Sequence, residues 1–140
     1  DQTVLDVAGQ RTLVLHGDTL CTDDVDYQQF RQLVHSSEWQ AEMMAKSLDE
    51  RRDLARQIRS ISIDAASNKP EDIMDVNQSA VSAAMRDADV VVMVHGHTHR
   101  PDRHQCETGE RIVLGDWTAQ AGWLLREQGS ELSLERFSIG

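Results

Sequence analysis

The spacing of apolar positions changes several times along the chain, and each change marks an element. Thr3 to Val7 and Arg11 to Leu15 are β-prone runs joined by Ala8-Gly9-Gln10. A short glycine-containing connection of this kind predicts a hairpin. From Asp26 to about Ile63 the period becomes helical: Tyr27, Phe30, Leu33 and Val34 share a face, as do Trp39, Met43 and Met44, and again Leu54, Ile58 and Ile61. Ser47-Leu48-Asp49-Glu50 has the spacing of a capping box. Residues 26–69 thus form a helical insertion, whose apolar face suits either an ordinary core or a lid over a greasy ligand. Ser67-Asn68-Lys69-Pro70-Glu71-Asp72 predicts a turn into a helix over Pro70 to Arg86, with Ile73, Val76, Ala80, Val81, Ala84 and Met85 on one stripe. That helix hands over to Val90–Val94, an unbroken apolar run that predicts a strand buried on both faces. Three more strands are expected at Arg111–Leu114, Gly122–Leu125 and Glu131–Phe137, the last two joined around Gln128-Gly129-Ser130. The class is α/β with a mixed sheet.

Composition narrows the partners. The chain has 140 residues, enough for one domain with a real core, and 39% of them are hydrophobic. Fourteen basic against 24 acidic residues give a formal net charge of −10, which repels nucleic-acid backbones. Two cysteines, Cys21 and Cys106, are too few for a disulfide framework and read as free thiols in a reducing compartment. No apolar run approaches the length that spans a bilayer, and none has the form of a signal peptide. The first residue is Asp rather than Met, so a longer parent chain is expected.

Histidines carry the candidate chemistry. The 90–94 strand ends in His95-Gly96-His97-Thr98-His99-Arg100-Pro101, and Leu13-Val14-Leu15 ends in His16-Gly17-Asp18. Sites in open α/β sheets gather beyond the carboxyl ends of strands. Alternate residues of an extended segment point the same way, so either His97 and His99 or His95 and His97 share a side. If the two strands are neighbours, His16 faces them. Neutral imidazole suits Mn, Fe, Co, Ni or Zn, against the plain alternative of a solvated histidine loop. A hydrolytic site usually adds carboxylates, and Asp18, Asp23, Asp24 and Asp116 are the candidates, although Asp18 could equally cap a turn. Asp102-Arg103-His104 reads as a solvated loop. Arg51, Arg52, Arg56 and Arg59 are grouped, and Arg59 and Lys69 flank the polar stretch Ser62 to Asn68, where two cations would suit a phosphate. No nucleophile elbow, phosphate loop or dinucleotide fingerprint occurs.

Four stretches, in order, carry a resemblance: Leu15-His16-Gly17-Asp18-Thr19-Leu20-Cys21-Thr22-Asp23-Asp24, Ile73-Met74-Asp75-Val76-Asn77-Gln78, His95-Gly96-His97-Thr98-His99-Arg100-Pro101 and Val113-Leu114-Gly115-Asp116-Trp117. Together they resemble the UDP-2,3-diacylglucosamine diphosphatases of lipid A biosynthesis, within the calcineurin-like metallophosphoesterases. The resemblance runs over nearly the whole chain and is weakest from about Ser36 to Arg56. It implies an αββα sandwich with a helical lid for acyl chains, two Mn²⁺ ions, and hydrolysis of the substrate pyrophosphate at the α-phosphorus. The products would be UMP and 2,3-diacylglucosamine 1-phosphate (lipid X). It further implies a peripheral protein on the cytoplasmic side of the bacterial inner membrane, acting on a lipid-linked sugar nucleotide. Carried over by position, His16, His97 and His99 resemble metal ligands, with His97 also catalytic and touching substrate. Asp24, Ser62 and Lys69 resemble substrate contacts, with Tyr27 and Arg59 as weaker matches, while His95 is not a ligand in that pattern.

Two departures follow from the same resemblance. Ala66 stands where relatives have a polar substrate contact. The family's Asp-x-His, Gly-Asp and Gly-Asn-x-Asp elements do not occur in the right order or setting, so residues 1–140 correspond to a C-terminal portion without the carboxylate ligands. The expectation is that this chain alone binds at most one metal ion weakly and does not turn over, and that an N-terminal half is its partner. A sheet lacking that half exposes an edge open to aggregation. The competing readings are a non-enzymatic metal-binding or self-associating remnant, and a metallophosphoesterase for a soluble nucleotide or phosphodiester.

Overall fold

The computed structural model describes every residue except Asp1, Asn68, Glu71 and Asp72, and leaves aside the side chains of Ile63, Ala65, Ala66 and Ser67. The turn expected over 67–72 therefore falls partly outside the described residues, and so does the side chain at the Ala66 departure. The chain forms two compact units, residues 1–21 with 76–140, and residues 22–75.

In the first unit, β1 (Gln2–Val7) and β2 (Gln10–Leu15) form the expected antiparallel hairpin. Ala8 and Gly9 turn it with φ of 53° and 74°, the left-handed pair that a two-residue hairpin needs. β3 (Val92–His95) lies parallel to β2, with Leu15 paired to His95. β4 (Asp102–Cys106) and β5 (Gly109–Val113) complete a five-stranded sheet of order β1-β2-β3-β5-β4, in which β3 and β5 are parallel and β4 and β5 antiparallel. β6 (Ala121–Gln128) and β7 (Glu131–Ser138) form a separate antiparallel pair.

Strand β3 is buried on both faces, as its unbroken apolar run implies. One face contributes Met93 to a cluster with Leu13, Leu15, Val81 and Met85, which brings in helix α4 (Gln78–Asp87). The other contributes Val92 and Val94, which with Ile112 pack against Leu125, Leu132 and Leu134 of the β6–β7 pair. The strand starts two residues later than expected, and Val91 before it is 59% exposed.

Two further expectations are corrected. Helix α4 begins at Gln78, not Pro70, because Asn77 caps it by accepting from the Ser79 and Ala80 amides at 2.9 and 3.1 Å. Residues 102–104 are not a solvated loop but the start of β4, an edge strand held by β5. Arg103 fixes it with a two-pronged contact to Glu110, at 2.8 and 2.7 Å, and donates to the Leu132 carbonyl.

The second unit is helical: α1 (Val25–Val34), α2 (Ser37–Ala45) and α3 (Leu48–Ser67). Ser36 caps α2 through the Trp39 amide. The capping box of α3 forms as read: the Ser47 amide and hydroxyl donate to Glu50 Oε2 at 2.8 and 2.6 Å, and the Glu50 amide donates back to Ser47 Oγ. Neither α1 nor α2 buries any residue. Phe30, Leu33, Met44 and Ile61 are all exposed, so the apolar faces here are not an ordinary closed core.

Candidate metal centre

Strands β2 and β3 run side by side and in the same direction, so both release their chains at one edge of the sheet. His16 follows β2, and His97 lies two residues beyond β3. Their rings meet edge to face with centroids 4.9 Å apart. Behind His16, the carboxylate of buried Asp18 accepts from Nδ1 at 3.0 Å. This is the way a ligating imidazole is usually oriented from its far side. Burial, and next the neighbouring His16, push the His97 pKa below the ordinary histidine range, with Asp18 opposing and His99 adding to the shift. His97 is therefore neutral at ordinary pH, the form that binds metals.

The segment after β3 is not extended, which removes the alternation argument. His97 and His99 both adopt left-handed backbone, at φ 66° and 53°. The Thr98 amide donates to the Gly96 carbonyl at 2.8 Å, closing a three-residue turn around His97 of the rare left-handed kind. The side chain of His99 is exposed. Among the described residues, no three His, Cys, Asp or Glu side chains stand close enough to enclose an ion. His16 and His97 fit an imidazole half-site.

Of the two glycines in these turns, Gly17 is the more constrained. A Cβ on Gly96 would meet only the His16 carbonyl at an ordinary 3.7 Å. Gly17, at φ 110°, would drive a Cβ to 2.7 Å from His95 Nδ1 and 3.1 Å from the Gly96 carbonyl. The two histidine-bearing turns are thus packed backbone to ring. The Gly96 amide also donates to the His16 carbonyl at 2.9 Å, tying them directly.

His95 itself is 1% exposed and turned inward. Its Nε2 lies 3.1 Å from Nη1 of Arg111, which is also buried. This pair was not among the sequence-derived candidates. The available signal was an arginine set into the apolar run Arg111-Ile112-Val113-Leu114, at the same sheet face as Met93.

In the helical unit, Asp24 and Lys69 come together from 45 residues apart. Asp24, 8% exposed, caps α1 by accepting from the Tyr27 amide at 3.0 Å and pairs with the Lys69 ammonium at 2.5 Å. Tyr27 is half-buried beside this cap, and Ser62 and Arg59 are exposed on α3. Arg52 and Arg56 are taken up by exposed pairs with Asp49 and Asp53. Asp23 and Asp116 are exposed.

No family model matches the chain. The UDP-2,3-diacylglucosamine hydrolase of Cellvibrio japonicus is 47% identical over 141 residues, a span covering 98% of this chain and 58% of the relative. Over the stretch it covers, the chain is similar to UDP-2,3-diacylglucosamine hydrolases. The Bordetella pertussis member is 50% identical over 125 residues, covering 82% of this chain and 48% of its own length. The Sodalis glossinidius member is 45% identical over 141 residues, with 99% and 58% covered. The chain spans about half the length of the curated relatives it matches. No helix among the described residues is long and apolar enough to cross a membrane.

Proposed function

We propose that this chain supplies the histidine half of a Mn²⁺-dependent hydrolase that cleaves the pyrophosphate of UDP-2,3-diacylglucosamine at the α-phosphorus, giving UMP and 2,3-diacylglucosamine 1-phosphate in lipid A biosynthesis. The observation that carries the reading is the His16–His97 pair at the shared edge of β2 and β3, in a chain nearly half identical to hydrolases named for that substrate. His16, His97 and His99 would hold metal, with His97 also against the reacting phosphate. When bound, Mn²⁺ supplies Lewis-acid activation of the phosphoryl group and of water. The complete centre would hold two such ions, with carboxylates from an N-terminal half within a calcineurin-like αββα sandwich.

The chain's own residues divide the remaining work. Asp18 holds the His16 ring through Nδ1, which would leave Nε2 as the nitrogen for a metal. Neutral His97 presents a lone pair without first releasing a proton. Lys69, steadied by Asp24, is a cation suited to a phosphate oxygen, and Ser62 adds a hydroxyl. The exposed Phe30, Leu33, Met44 and Ile61 suit acyl chains, with residues 26–69 as a lid. A substrate carrying two acyl chains would suit a peripheral protein, and in this reading it works on the cytoplasmic face of the inner membrane.

The test is Mn²⁺ binding by calorimetry together with UMP release, measured on residues 1–140 with and without an N-terminal half from the Cellvibrio relative. Weak binding of at most one ion and no turnover alone, then turnover on complementation, is the expected result. Mn²⁺ binding without turnover in either setting supports the non-enzymatic remnant instead. Hydrolysis of soluble nucleotide esters in preference to the diacyl substrate supports the third reading.

A further inference from the structure

We propose that Arg111 and His95 are a buried pair of positioning residues that fixes the left-handed turn presenting His97. Arginine has donors only, so the 3.1 Å contact makes His95 Nε2 an acceptor. The proton of the neutral ring is then on Nδ1, which donates to the Gly96 carbonyl at 2.9 Å. That same carbonyl accepts the Thr98 amide that closes the turn around His97. One oxygen therefore carries both the anchor and the strained turn, and Arg111 selects the tautomer that anchors it.

Several observations converge on this role. Both side chains are almost fully enclosed, His95 at 1% and Arg111 at 3% exposure. Arg111 Nε has no hydrogen-bond partner among the described residues, so the buried guanidinium is poorly compensated. A charge kept inside a sheet on such terms is seldom there for stability. Gly17 packs its backbone onto His95 Nδ1, so the His16 turn is seated on the same ring. The Leu114 amide donates to the His95 carbonyl at 2.7 Å, fixing the residue from its backbone side as well. Without the Arg111 donor, the His95 proton is free to move to Nε2. Nδ1 would then oppose the Gly96 carbonyl, lone pair to lone pair, and the turn would loosen.

The experiment compares Arg111→Met, His95→Ala and His95→Asn in the 140-residue chain. Asn keeps an N–H near the Nδ1 position and so keeps the anchor. Long-range proton–nitrogen NMR reads the His95 tautomer, and hydrogen exchange reads the Gly96 and Thr98 amides, both without metal. A Nδ1–H ring is expected, with Thr98 exchange roughly tenfold or more faster in Arg111→Met and His95→Ala at unchanged global unfolding, and near-normal exchange in His95→Asn. Mn²⁺ titration adds an arm that rests on the ligand reading of His97, with affinity expected to fall roughly 10–100-fold in the two disruptive variants. An Nε2–H ring, or Thr98 exchange unmoved in both disruptive variants, overturns the positioning role. A wild-type chain that binds no Mn²⁺ overturns the metal reading alone, since the exchange data still judge the pair. Should Arg111→Met not fold, the contrast between His95→Ala and His95→Asn decides the matter.

Discussion

Histidine at position 97 occupies left-handed backbone that costs a non-glycine residue about 1–3 kcal/mol. A glycine there removes the cost, so the usual ranking of substitutions inverts. We expect His97→Gly to be more stable than His97→Ala by about 1 kcal/mol in urea melts, while both lose Mn²⁺ binding. Protonation gives a second measurement. Burial and His16 hold the folded His97 pKa below the ordinary value of 6.5, so the unfolded chain takes up the proton first. Its contribution to ion-free stability is therefore full above that value and is lost as pH falls through the lowered folded pKa. Denaturation midpoints between about pH 5 and 7.5 should fall more steeply in the parent than in His97→Gly. A steeper slope in the variant contradicts the assignment. The histidine types and their placement at strand ends were legible in the sequence; the backbone at 97 and 99 was not. Nothing in Gly96-His97-Thr98-His99 announces positive φ, because the Gly96 carbonyl that takes the Thr98 amide is also held by the His95 ring, which Arg111 meets from β5. Gly17 was legible only as a glycine, since its purpose is the nearby His95 ring.

Among the elements, those whose signals are local were read correctly. The β1–β2 and β6–β7 hairpins and the Ser47 capping box need only residues a few positions apart. The misread ones depend on partners far along the chain. The β4 segment Asp102-Arg103-His104-Gln105-Cys106 has no apolar alternation, and it becomes a strand because β5 and the Arg103–Glu110 contact hold it at the edge. For α4, apolar Ile73 and Val76 continued the helical stripe backward, yet the carbonyl of Leu20 accepts the Asn77 amide at 2.8 Å and the helix starts just after. The caps make testable claims. Asn77→Ala should cost about 1 kcal/mol, read as a lower melting temperature, because α4 buries Val81 and Met85 in the main core. Ser47→Ala should also weaken its helix by about 1 kcal/mol, but the sensitive readout is amide exchange in the first turn of α3. Equal exchange in parent and variant there would leave the capping box without energetic weight.

At the scale of the molecule, the five-stranded sheet ends in β1 and β4, each paired on one side among the described residues. The order β1-β2-β3-β5-β4 leaves β1 with one partner, and its residues are largely exposed, Val4 at 38% and Leu5 at 49%. The β6–β7 pair has only two strands, too few for independent stability, and stays in place because Leu125, Leu132 and Leu134 pack on Val92, Val94 and Ile112. Native sheets blunt such edges with charge or cover them. On β1 the acidic residue Asp6 faces Arg11 across the hairpin, so its charge is partly offset. The proposed N-terminal half is the natural cover, since the curated relatives are about twice as long as the matched stretch. Light scattering on residues 1–140 should therefore show concentration-dependent association. Leu5→Lys should reduce it without disturbing the His16–His97 pair, because position 5 pairs with Thr12, three residues before the end of β2. Adding the N-terminal half should suppress association and restore UMP release in the parent, and should need a higher concentration of that half to do so in Leu5→Lys, whose altered edge it would cover. A parent chain that remains monomeric at high concentration would show the edges to be guarded already, and would shift the role of the proposed N-terminal half from covering the sheet to supplying ligands.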